Sequence, residues 1–350
     1  MKKALILLGC MVLLIAPVML LVGCFGGGRD TLDPETSVVL TNRFYAEHRQ
    51  QEPLGAGVPH ERARQTVTVP VNPERIIVFG LGELDTLLYL GLQDRVVGIA
   101  CFGDSMPAHL QAVFGNRTRV AGLGVANSDF PHNPNYQLVA GLNPDLIIIE
   151  GRQRAGRGDT GHFQRLSAVA PTLDFGLTTG HMLRDTFYNL SDLAKIFPDI
   201  ADDVASVKTK INAEIKKTYA LAQTVNQRVL MVLKNNNAYS ILGREGRWSF
   251  IFNELGLGEG ITGLGSGTHG AAASESVIIA NANNIDMIFI VDRNNANPTN
   301  TLMSHTIFNR LPAVPNNVHL FNSDWYMING GGVQFFLTQI AQVYEILSAI

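Results

Sequence analysis

The chain is poor in cysteine, with three in 350 residues, at Cys10, Cys24 and Cys101. Cys10 lies in an apolar leader and Cys24 reads as a lipid-modification site, which leaves Cys101 alone. An internal disulfide framework is therefore excluded, and the fold must rest on its core. Basic charge is also scarce. Lys and Arg total 27 against 30 Asp and Glu, a formal net charge of −3, which becomes −5 once Lys2 and Lys3 are removed with the leader. A broad basic surface for nucleic acid does not follow from such a balance. There is no His-Glu-x-x-His, no Gly-x-Ser-x-Gly elbow, and no close pair of carboxylates beside a cluster of metal ligands, so a metal-dependent hydrolase is disfavoured. A single candidate histidine at the relevant loops also argues against a divalent-metal receptor.

Long apolar runs are absent except at the start. Met1-Lys2-Lys3 precedes an apolar stretch over 4–22 that ends Leu21-Val22-Gly23-Cys24. A basic start, an apolar stretch and a small residue before cysteine predict a lipoprotein signal over 1–23, cut after Gly23, with the lipid on Cys24. An uncleaved transmembrane anchor is the alternative, because the stretch is long for a signal core. Both place the body outside the cytoplasm.

Residues 24–60 mix Gly and Pro with little periodicity and are expected to be a linker. A first α/β lobe is expected over 61–180. Its strands are Arg75-Ile76-Ile77-Val78, Val96-Val97-Gly98-Ile99 and Leu146-Ile147-Ile148-Ile149. Helical patterns lie between them, one of them ended by Gly91. Strands apolar on both faces and alternating with helices predict a parallel sheet covered on both sides. A long helical stretch over 181–225, interrupted by Pro198, is the right length to connect two lobes. The second lobe, 226–350, repeats the logic with strands at 228–233, 287–291 and 318–321 and a closing helix from Gly332. The fold class is therefore α/β, two Rossmann-like lobes joined by an interdomain helix. Ligands in such folds lie at the carboxyl ends of the strands.

Several residues with useful chemistry fall in loops after those strands. Arg152 follows the strand at 146–150, Arg247 follows Ser240-Ile241-Leu242-Gly243, and Arg293 follows the strand at 287–291. His269 stands in Gly267-Thr268-His269-Gly270, and Tyr326 stands in Asp324-Trp325-Tyr326, ahead of Gly330-Gly331-Gly332. Three guanidiniums facing one cleft call for a strongly anionic ligand. A phenolate oxygen and an imidazole nitrogen suit a ferric ion already mostly wrapped by other oxygens. Taken singly, each arginine is equally well a surface ion pair, His269 a helix cap, and Tyr326 a packing residue.

Order and spacing decide between these readings. The chain resembles the class III periplasmic binding proteins that serve iron-siderophore and cobalamin ABC importers. Within that group it is most similar to catecholate-siderophore receptors of the petrobactin and enterobactin type. The likeness runs from about Val67 to the C-terminus. It is carried by Arg75-Ile76-Ile77-Val78, Gly151-Arg152-Gln153, Gly246-Arg247-Trp248, Gly267-Thr268-His269-Gly270, Val291-Asp292-Arg293 and Trp325-Tyr326.

The resemblance implies a binding protein rather than an enzyme, with no intrinsic cofactor and an Fe(III)-catecholate siderophore as its ligand. It implies that Arg152, Arg247 and Arg293, with Trp248 beside them, hold the anionic complex. His269 and Tyr326 would complete the iron shell when the siderophore fills only four positions. Asp85 and Glu275, each expected at a helix start on an outer lobe tip, would meet arginines of the membrane permease; the alternative is an ordinary carboxylate favoured by the helix dipole. A monomer is expected. A haem or cobalamin receptor on the same fold is the competing reading. The chain departs from the family in the longer, Gly- and Arg-rich loop over 153–162, which is expected either to add Arg154 or Arg157 to the site or simply to be mobile.

Overall fold

The computed structural model describes residues 36–43, 64–101, 106–122, 133–150, 162–176, 182–235, 238–244, 248–263, 270–272, 274–292, 311, 317–327 and 332–350. Among them, no helix is long and apolar enough to cross a membrane.

The chain first forms an antiparallel hairpin of β1 (Ser37–Arg43) and β2 (Arg64–Pro70). β1 lies inside the segment expected to be a linker, and it is held to the body. Asn42, 1 % exposed, donates to the Thr172 carbonyl at 2.9 Å and accepts from the Asp174 amide at 2.8 Å. The side-chain amide thereby acts as one more rung on the edge strand, so the expected boundary at residue 60 is corrected.

The first lobe contains β3 (Ile76–Val78), β4 (Val96–Cys101), β5 (Thr118–Gly122), β6 (Leu146–Ile149) and β7 (Thr172–Asp174), all parallel in the order β5-β4-β3-β6-β7. β3 and β6 are fully buried apolar runs, as central strands covered on both faces require. On one face lie α1 (Leu81–Tyr89), α2 (Ala108–Phe114) and α5 (Met182–Ile196). On the other lie α3 (Tyr136–Gly141) and α4 (His162–Ser167), packed through Val139 and Leu166. Gly91 takes φ +73° just past the end of α1, a backbone state that favours glycine and stops the helix. Asn135 caps α3 by accepting from the amides of Gln137 and Leu138.

A 3-10 turn at Pro198–Ile200 leads from α5 into α6 (Ala201–Val225). Val204, Val207, Ile211, Thr218 and Ala222 are the buried positions of α6, recurring at three- and four-residue steps on one face. Asn226 ends it in the left-handed conformation, φ 51°.

The second sheet has β8 (Arg228–Asn235), β9 (Ala238–Leu242), β10 (Gly258–Glu259), β11 (Ala271–Ala272), β12 (Met287–Asp292) and β13 (Val318–Phe321). Its order is β11-β9-β8-β12-β13, with β10 also on β8; β9 runs antiparallel to both its neighbours, β8 and β11, and the other pairings are parallel. Its helices are α7 (Phe250–Asn253), α8 (Glu275–Ala280), α9 (Asp324–Met327) and α10 (Val333–Ser348). One apolar cluster runs through both lobes, joining residues of α1, α5, α6 and α10. Two separate clusters cover the opposite faces of the sheets.

Candidate functional site

Both sheets change winding direction once. In the first, the chain moves outward from β3 to β5 and returns beside β3 as β6; in the second, β12 returns beside β8. Loops leaving the carboxyl ends at such a switch point diverge and open a crevice. α1 leaves β3 at the first crevice. β8 and β12 end at the second with Lys234 and Asp292.

The two carboxyl edges meet. Asp85, in the second turn of α1, accepts from the backbone N–H of Phe335 in the first turn of α10 at 3.1 Å. Thr86 Oγ1 accepts from Val333 N at 3.3 Å. Gly332 permits this approach, since a Cβ there would lie 2.6 Å from Asp85 Oδ2. His109 of α2 places Nε2 3.0 Å from Asp85 Oδ1, and as the carboxylate only accepts, the imidazole N–H donates.

Asp85 is therefore 0 % exposed and bonded within the protein. A permease arginine cannot reach it, and its expected role as a permease contact is corrected. The physical reason is that α1 begins at Leu81, so Asp85 lies a turn deeper than a helix-start carboxylate.

Across this junction sits α9, which carries Asp324, Trp325 and the backbone of Tyr326. Burial pushes the Asp324 carboxyl above its ordinary range, partly offset by His109 and by a hydrogen bond from Asn322. Trp325 is 1 % exposed, stacks on Phe321 with ring centres 3.8 Å apart, and donates Nε1–H to Gln342 at 2.7 Å. Trp248 is 0 % exposed and donates its indole N–H to the Trp325 carbonyl at 3.2 Å. It packs inside the core, so its expected place as a ligand contact is corrected: its role is to support α9 from below.

At the other switch point, Lys234 and Asp292 form a buried ion pair at 3.0 Å, their side chains 4 % and 2 % exposed. Tyr239 lies nearby, its phenol pushed up by burial and by Asp292. The pair ties the ends of β8 and β12 immediately before Arg293. On the first lobe Glu150, 3 % exposed, ends the β6 segment two residues before Arg152.

Arg152, Arg247, Arg293, His269 and Cys24 lie outside the described residues, as does the loop over 153–161. Tyr326 and Glu275 are described only as members of α9 and α8. Among the described residues no group of three or more His, Cys, Asp or Glu is placed to hold a metal ion. Sequence reasoning missed His109 and Lys234, and named Asp324 within a motif without giving it a role. Only a charged residue inside an apolar strand end, as at Lys234, was a signal for any of them.

Two lobes with facing carboxyl edges and a helical connector define a class III periplasmic binding protein fold. The chain belongs to the periplasmic binding protein family, whose pattern matches residues 76–319. It is 28 % identical over 297 residues to the petrobactin-binding protein YclQ of Bacillus subtilis, covering 82 % of this chain and 87 % of that protein. It is 26 % identical over 253 residues to the ferric-anguibactin-binding protein FatB of Vibrio anguillarum, covering 71 % of this chain and 72 % of that one. The crystal structure of YclQ superposes with a TM-score of 0.71 at 27 % identity, covering 83 % of this chain and 97 % of that chain. Membership defines a protein that binds its ligand rather than converting it.

Proposed function

We propose that the chain is an extracytoplasmic, lipid-anchored receptor that captures a ferric catecholate siderophore between its lobes and delivers it to an ABC permease. The observation that carries this reading is the likeness to YclQ, named for petrobactin binding, over most of both chains. The facing carboxyl edges supply the crevice; in sequence, Arg152 and Arg293 follow strands that end on those edges, and Arg247 follows β9, which runs back antiparallel to β8. Their forked donors suit the anionic oxygens of a ferric catecholate. His269 and Tyr326 complete the iron shell of a tetradentate complex. The iron arrives as cargo. Cys24 carries the anchor, the receptor works as a monomer, and Glu275 remains the proposed carboxylate for the permease.

The test is tryptophan fluorescence of the full chain in detergent micelles, titrated with ferric tetradentate and hexadentate catecholates, ferric hydroxamate, hemin and cobalamin. Saturable quenching by the ferric catecholates, weakened at least a hundredfold by joint substitution of Arg247 and Arg293 with Ala, is the expected result, since charge-assisted bonds contribute about 1.5–3 kcal/mol each. Tight binding of hemin or cobalamin alone would overturn the siderophore assignment.

A further inference from the structure

The face of the first sheet opposite the Asp85 junction carries a second set of groups. α3 and α4 both start on the carboxyl edge of that sheet, because each follows a parallel strand, β5 and β6. Their first residues meet: Tyr136 Oη lies 2.6 Å from His162 Nδ1. The other ring nitrogen, Nε2, lies 3.1 Å from Asn133 Oδ1. An amide oxygen only accepts, so Nε2 carries the proton. Nδ1 is then the acceptor and the Tyr136 hydroxyl the donor. Burial raises the phenol above its ordinary value and lowers the imidazole below its own, and Arg165 adds to the latter. Both rings are neutral in this chain of hydrogen bonds.

The charge is supplied by Arg165, one turn into α4. Its guanidinium carbon lies 4.5 Å from the centre of the Tyr136 ring. The guanidinium lies over that ring and hydrogen-bonds the Tyr136 side chain, which fixes its position and leaves its remaining N–H groups for a partner. Arg165 is exposed, and among the described residues no carboxylate forms an ion pair with it. The cluster is therefore a cation held rigidly on a neutral aromatic base. The Tyr136 hydroxyl donates its proton to His162 and accepts from Arg165, which joins the three side chains.

The second lobe offers a parallel. In the second lobe, the helix on the equivalent face is α8, and the sequence ahead of it contains His269. In the first lobe, α4 occupies the corresponding place and opens with His162. We infer that Tyr136, His162 and Arg165 form a second anion-binding wall on the first lobe, in which Arg165 takes an anionic oxygen of the chelator, a catecholate or carboxylate arm, on a platform set by the Tyr136–His162 pair. This inference rests on the proposed function, since it assigns the wall to the same ligand.

The experiment compares wild type, Arg165→Ala, Arg165→Lys and Tyr136→Phe as full chains in detergent micelles. The probes are an anionic ferric bis-catecholate and an uncharged ferric trihydroxamate, titrated at low and high salt. Arg165→Ala is expected to weaken the anionic complex about tenfold and to flatten its salt dependence, with Arg165→Lys recovering part of the affinity. Tyr136→Phe, which keeps the ring but removes the hydroxyl, is expected to weaken the same complex less. Affinity and salt dependence unchanged in Arg165→Ala, with wild-type binding intact, would overturn the wall alone. Failure of wild type to bind any ferric catecholate would overturn the proposed function and this inference with it. Equal losses for the anionic and uncharged probes would also overturn it, because they would indicate a general packing effect.

Discussion

Asp85 and Phe335 join the first and last long helices of the two lobes through one hydrogen bond, 3.1 Å from backbone nitrogen to carboxylate oxygen. The carboxylate sits at the amino end of α10, where free backbone N–H groups and the helix dipole both favour negative charge. It is fully buried, so solvent does not screen the contact. The two lobes are thus tied to each other through α1 and α10, where the two carboxyl edges meet.

Asp85→Ala should remove this tie and the bond from His109 together. Hydrogen bonds to a charged group contribute about 1.5–3 kcal/mol each, so a loss near 3 kcal/mol is expected, allowing for partial rehydration of His109. Asp85→Asn, which keeps one acceptor, should lose about half as much. Urea midpoints measure both, and a midpoint unchanged in the alanine variant would show that the lobes are held by apolar packing alone.

Asn42→Ala should destabilise the protein by about 1–3 kcal/mol, because it leaves the Thr172 carbonyl and the Asp174 amide without their buried partner. Asn42→Asp should be at least as harmful, since the donor to Thr172 is replaced by a second acceptor. Protease nicking of the 43–64 connection should rise in step with the loss, read by gel after brief digestion.

These two residues also mark where the sequence was legible and where it was not. The central strands announced themselves, because Ile76-Ile77-Val78, Leu146–Ile149 and Met287–Val291 are apolar on both faces and only a doubly covered sheet accommodates that. The connector was readable from the spacing of Val207 and Ile211 and from Pro198, although Tyr219, read into the same stripe, is 45 % exposed. β1 was not, since its pairing with β2 spans a long intervening segment and its docking depends on one side-chain amide. β5 and β7 are short and carry polar residues such as Thr118, Arg119 and Asp174, which blurs any period. Asp85 and Trp248 were named from the right segments but given exposed roles. Burial of a carboxylate at 0 % depends on what arrives from 250 residues away, and no local pattern encodes it.

His319 makes stability depend on pH. It packs edge-on against Phe289, ring centres 5.7 Å apart, and burial holds its imidazole below the ordinary value. The unfolded chain therefore takes up a proton near pH 6.5 that the folded chain resists, so stability present above that pH falls as pH drops through the window beneath it. His319→Gln should flatten the fall in melting temperature between pH 7 and pH 5. His162 is shifted in the same direction, so part of the slope should remain. An unaltered slope in His319→Gln would assign the dependence elsewhere.

Asp292→Asn should leave the Lys234 ammonium buried without its counter-charge. Breaking one side of a buried pair typically costs 3–5 kcal/mol, whereas replacing both partners by apolar groups is often neutral. Asp292→Leu combined with Lys234→Met should accordingly be more stable than Asp292→Asn alone, by chemical denaturation. The same single variant should weaken ferric catecholate binding beyond its effect on stability, because the pair fixes the strand end from which Arg293 departs.

Trp248 offers a way to separate support of the site from stability. Its indole N–H is committed to the Trp325 carbonyl in α9, one residue before Tyr326. Trp248→Phe keeps an aromatic ring in the core but removes that bond, so the melting temperature should fall by only a few degrees, as for a loss of about 1 kcal/mol. The consequence for binding should depend on the ligand. A tetradentate ferric complex needs Tyr326 to finish the iron shell on the proposed reading, so its affinity and its phenolate-to-iron charge-transfer band should both weaken in Trp248→Phe. A hexadentate complex makes no such demand, and its affinity should be nearly unchanged. Equal losses for the two complexes would mean that Trp248 acts on the whole lobe rather than on α9, and an undiminished charge-transfer band would remove its positioning role altogether.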